Sequence, residues 1–164
     1  MKSDSVVAKS AFEEEIGMKK VLVCIILLVV LIFVSVLIVT PIVNDNMAKK
    51  TANELVELPL PDNTEFVEAV YQAGKLVGNG NGMQYFGGIL IKSELSLEEL
   101  KAYYLQFAKK EWECIVERQI DADVKVIEHA KLTFKTEVEG DQYYIVYSWG
   151  DNHTIFHELD IRGH

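Results

Sequence analysis

Val21 to Ile42 reads VLVCIILLVVLIFVSVLIVTPI, twenty-two residues without a charge. Wound as a helix, the stretch rises about 33 Å, against about 30 Å for the hydrocarbon core of a bilayer. The buried helix of a soluble protein keeps a polar stripe, and here only Ser35 and Thr40 interrupt the apolar run. The stretch therefore reads as a transmembrane helix. A cleaved secretory signal has an apolar region of about 7–15 residues followed by a small-residue cleavage site. This run is longer, passes directly into Pro41-Ile42-Val43, and is followed only by Asn46-Met47-Ala48, a poor cleavage match. Cys24 opens the run instead of closing it, which does not fit a lipoprotein. The expectation is an uncleaved signal anchor.

Lysines near the ends set the orientation. Lys19 and Lys20 abut the run on its N-terminal side, with Lys2 and Lys9 behind them, whereas Lys49 and Lys50 stand further off on the other side. This bias places the N-terminus in the cytoplasm. Working outward, residues 1–20 read as a cytoplasmic tail, 21–43 as the transmembrane helix, 44–61 as a linker and 62–164 as an extracytoplasmic α+β domain. The expected location is the cell membrane, crossed once.

Charge is unevenly shared. The four lysines of residues 1–20 balance Asp4, Glu13, Glu14 and Glu15, so the whole net charge of −9 lies beyond the tail. An acidic domain repels nucleic acid and anionic headgroups, and neither is an expected partner. The two cysteines, Cys24 and Cys114, fall on opposite parts of this plan and make no disulfide framework. In Trp112-Glu113-Cys114-Ile115-Val116 the thiol alternates with apolar neighbours and reads as core.

Within the domain, Gly78-Asn79-Gly80-Asn81-Gly82 holds two Asn-Gly pairs, a strong hairpin signal because these residues tolerate positive φ. It joins a strand over 65–77 to a second over 83–92. Ser96-Leu97-Glu98-Glu99 is a capping box, with Leu95 and Leu100 as its hydrophobic staple. The helix that follows carries Leu97, Leu100, Tyr104, Phe107 and Ala108 on one face, and Lys109 and Lys110 close it. Strands are then expected at 112–118, around Leu132 and Phe134, at 143–149, and at 154–162 with Ile155, Leu159 and Ile161 on one side. The order ββ-α-ββββ predicts an antiparallel sheet with one helix packed on a face.

Sites are harder to find. The glycine loop is followed by a strand, so it is a turn and not a phosphate cradle. His153 and His157 are spaced as two zinc ligands on a helix would be, with Asp151, Glu158 and Asp160 nearby. On a strand they stand about 13 Å apart, too far to share an ion. Ser148, Asp151 and His153 have the residue types of a hydrolytic triad without the G-x-S-x-G turn that would present a nucleophile. Asn152-His153-Thr154 fits a glycosylation sequon. No catalytic constellation and no cofactor motif emerge, and an enzyme is not expected.

QYYIVYSW, residues 142–149, has large side chains on both faces. One face can meet the helix, and an exposed apolar patch on the other would suggest a partner; Tyr144, Tyr147 and Trp149 are the interaction candidates. LPLPDNTE at 58–65, SLEELKAYY at 96–104 and Trp112 together resemble a class of bacterial membrane-tethered small α+β proteins. The resemblance implies fold and brings no activity or site. The leading expectation is an anchored module that binds a protein partner or its own copies. The alternative is a sensor for a small ligand or a metal at His153 and His157.

Overall fold

The computed structural model describes residues 2–109, 112–150 and 155–164, with side chains from Gly17 onward. The chain divides into two compact units, Met1–Val39 and Thr40–His164. Helix α1, Lys2–Val56, begins in the first and ends in the second. Its stretch from Gly17 is long and apolar enough to cross a membrane. In the first unit the large apolar side chains from Val21 to Val39, except half-buried Val36, are exposed, as a helix needing an apolar solvent leaves them.

The second unit is an α+β domain around a four-stranded antiparallel sheet. Strands β1 (Thr64–Gly74), β2 (Gln84–Ser93), β3 (Ile115–Arg118) and β4 (Tyr143–Gly150) take the order β1-β2-β4-β3. β1 and β2 form the expected hairpin, with Gly74 facing Gln84, and the glycine loop reverses the chain with Gly78 at φ 72° and Gly82 at φ 136°. A register shift interrupts the pairing between Phe66 and Glu68.

The segment 44–61, read as a linker, does more than connect. α1 runs on to Val56 and buries Asn44, Ala48, Ala52 and Leu55. These recur at three- and four-residue spacing, so they share one helix face. Small residues on that face let the helix come close to β2. An added Cβ at Gly87 would stand 2.6 Å from the Thr51 carbonyl carbon and closer still to the Ala52 nitrogen. Only a residue without a side chain fits beneath the helix there.

The sheet has a core on each face. On one, Ile89, Ile91, Val116, Tyr144 and Val146 pack with Leu55 of α1 and with Leu100 and Tyr104 of helix α2 (Leu97–Leu105). On the other, Val70, Phe86, Leu90, Ile145 and Tyr147 pack against Val124, Ile127, Phe134 and Val138. These last four come from the irregular chain between β3 and β4. Glu68 fastens that chain across β1: its carboxylate accepts from the backbone N–H groups of Lys135 and Thr136 and from the Thr136 hydroxyl. Burial alone would raise the Glu68 carboxyl, and these bonds more than reverse it, holding it low.

The capping box forms as the sequence predicts. Ser96 Oγ accepts from the Glu99 N–H at 3.3 Å, and the Glu99 carboxylate accepts from the Ser96 N–H at 2.8 Å. Replacing Ser96 by alanine removes a helix cap and should cost about 1 kcal/mol in a denaturant titration. The helix stops at Leu105, before the lysines expected to close it. The turn that follows brings Trp112 back beside Lys109 in a reciprocal backbone bridge.

Two expected strands do not form. Leu132 and Phe134 point inward as their alternation suggests, but only Asp123 and Thr133 make an isolated bridge. Residues 155–162 are not extended: Ile155–Leu159 is a short helix, α3, followed by a 3-10 turn at Ile161–Gly163. The reason is a side-chain network that turns Asp160 and Arg162 toward α1, where a strand would have continued past it.

Candidate functional site

Three aromatics were the sequence candidates for an interaction surface. The chain between β3 and β4 covers the sheet face that carries Tyr147 and Trp149, and α1 and α2 cover the opposite face, which carries Tyr144. Tyr144 and Tyr147 are buried, with hydroxyls donating to the Leu95 carbonyl at 3.0 Å and to the Glu117 carboxylate at 2.8 Å. Burial, then the bond to Glu117, pushes the Tyr147 phenol well above its ordinary value. Trp149 is half-buried, its ring edge-on to Phe86 at 5.2 Å. Tyr144 and Tyr147 are thus core residues with no surface to offer. Cys114 is half-buried, and burial pushes its thiol up to about 11, which suits an inert core cysteine.

Of the histidine pair, His153 lies outside the described residues, as do Asp151, Asn152 and Thr154. His157 is largely covered, its ring 6.2 Å from that of Tyr85 and beside Gly82. Among the described residues, no three His, Cys, Asp or Glu side chains gather as metal ligands would. Ser148 is fully buried opposite Gly87 on the α1 side of the sheet, and no substrate reaches it there.

The densest polar chemistry lies where α1 enters the domain. Asn44 donates to the Asp160 carboxylate at 2.8 Å and to the Phe156 carbonyl at 3.0 Å, and its own oxygen accepts from the Tyr85 hydroxyl at 2.9 Å. Arg162 donates to Asp160 at 2.8 Å, to Asp45 at 2.8 Å and to the Pro41 carbonyl at 3.2 Å. The backbone closes the other side: Lys75 N–H donates to the Arg162 carbonyl and Gly82 N–H to the Gly163 carbonyl. The 155–164 segment is therefore held between the first turns of α1 in the domain and the β1–β2 hairpin loop. Asp160 is 1% exposed. Desolvation by itself would raise its carboxyl, but the donors from Arg162 and Asn44, with the Arg162 charge, hold it at about 2. No local signal marked this clamp, because Asn44-Asp45-Asn46 reads as the polar edge of a span.

A second feature is a groove of about 520 Å³ between the end of α1 and the turn after α2. Leu58, Phe107 and Trp112 supply its apolar wall, and Glu54, Glu57, Gln106 and Lys109 its polar rim. The Trp112 indole N–H is buried and finds no acceptor among the described residues. The neighbouring Leu105 is 71% exposed. Residues 110–111, which border this turn, lie outside the described residues. No family model, no curated protein and no solved structure matches the chain.

Proposed function

We propose that the protein is a single-pass anchored module whose 62–164 domain works on the extracytoplasmic side of the cell membrane and binds a protein partner through the Trp112 groove. The anchor reading rests on the long apolar stretch of α1, and the orientation on Lys19 and Lys20 at its N-terminal edge. The observation that carries the binding reading is the groove itself. A partner's apolar side chains would lie on the wall formed by Leu58, Phe107 and the Trp112 ring, with exposed Leu105 beside it. The acidic rim favours a partner with basic groups beside that contact.

The test uses the full chain in its native membrane. A photo-crosslinking residue at Leu105 should give an adduct of one defined mass, and the same residue at Ile120, exposed elsewhere, should not. Equal labelling at both positions, or none at either, would contradict the binding reading. Asn79→Cys should react with an impermeant maleimide added outside the cell and Ser5→Cys should not. The reverse pattern would overturn the orientation.

A further inference from the structure

The 155–164 segment has a second property that the clamp does not explain. Its inward side carries Asp160 and Arg162, and its outward side carries Ile155, Leu159 and Ile161, exposed by 73%, 47% and 74%. Among the described residues beyond Ile42, nine large apolar side chains are exposed, and three of the nine fall within these seven positions. Isolated exposed aliphatics are ordinary on a protein surface, but a cluster on so short a segment is not. Ile155 and Leu159, four apart on α3, share a face.

The position of the segment names what covers this face. It is bonded to Pro41, Asn44 and Asp45, the helix turn at which the apolar run ends with Ile42. The run is about as long as the hydrocarbon core is thick, so that turn lies at the headgroup boundary when the run spans. Apolar faces of peripheral helices settle about 5–10 Å into that boundary.

We propose that residues 155–161 are a second membrane contact, with Ile155, Leu159 and Ile161 seated in the interfacial layer of the same bilayer that holds the anchor. The proposal rests on the anchored reading. The clamp to α1 brings the segment to the surface already folded, so little ordering is needed to seat it. Aliphatic side chains carry the contact, so it does not require anionic lipid.

The test places a bimane fluorophore on single cysteines in the full chain, with Cys24 and Cys114 replaced by alanine, in phosphatidylcholine vesicles. Labels at Ile155, Leu159 and Ile161 should be blue-shifted and quenched by lipids brominated near the headgroup, and a label at Leu105 should not. A label at Leu28 reports the anchor through deeply brominated lipids. If Leu28 is quenched and the three aliphatic positions remain water-like, the second contact is overturned and the anchor stands. If Leu28 is not quenched, the anchored reading itself falls. Blue-shifted labels at 155–161 that brominated lipid does not quench would assign the face to a second copy of the chain and also overturn the proposal.

Discussion

Replacing Gly87 by alanine should destabilise the domain by about 2–4 kcal/mol, beyond the usual range for an alanine in a strand. The added methyl group meets helix backbone, the Thr51 carbonyl and the Ala52 nitrogen, and backbone cannot rotate aside as a side chain can. The helix must lift from β2, which loosens the burial of Ala48, Ala52 and Leu55 together. Gly88→Ala is the matched control. Its methyl group would meet the Phe86 ring and the Ile145 Cδ1 on the opposite face, at 3.2 Å and 3.4 Å, and side chains can yield by that much. Denaturant titrations of the full chain in detergent, followed by Trp112 and Trp149 fluorescence, should show a much larger loss for Gly87→Ala. Equal losses would mean that the helix does not press on β2.

Asp160→Asn should cost about 2–3 kcal/mol at neutral pH. It leaves Arg162 with part of its pairing lost and Asn44 facing an amide in place of a carboxylate. The same group makes the domain acid-sensitive. The folded carboxyl sits at about 2, below its ordinary 3.8. A depressed carboxyl contributes stability above its unfolded value and loses it as pH falls through the folded one, so this contribution disappears between about pH 4 and pH 2. Its size at neutral pH is about 2 kcal/mol. The stability gap between wild type and Asp160→Asn should therefore close as pH is lowered through this window. A gap unchanged from pH 6 to pH 2 would show that the Asp160 charge does not hold the clamp.

Local patterns carried most of the fold. The apolar run, the Asn-Gly loop, the capping box and the alternation of Tyr143, Ile145, Tyr147 and Trp149 each depend on near neighbours, and each took the expected form. What stayed hidden depends on distant partners. Ala48 and Ala52 have meaning only with Gly87 beneath them, and Asp160 and Arg162 only with Asn44 and Asp45 more than a hundred residues away. The strand expected at 154–162 fails for this reason: alternation of Ile155, Leu159 and Ile161 suited a sheet, but the buried side proved to be the polar one. Likewise Tyr147 and Trp149 looked available only because the Val124 to Val138 chain, irregular and weakly patterned, gave no sign that it would cover them. The Trp112 groove was legible only as a tryptophan after a helix.

The end of α1 is a core element of the domain and not a tether. Hydrogen exchange on the full chain in detergent or nanodiscs tests it most directly, comparing the amides of residues 44–56 with those of β2. Both sets should open with the same free energy and lose protection together in Gly87→Ala. Exchange of residues 44–56 at the rate of a solvated helix, independent of β2 and unmoved by that substitution, would contradict it.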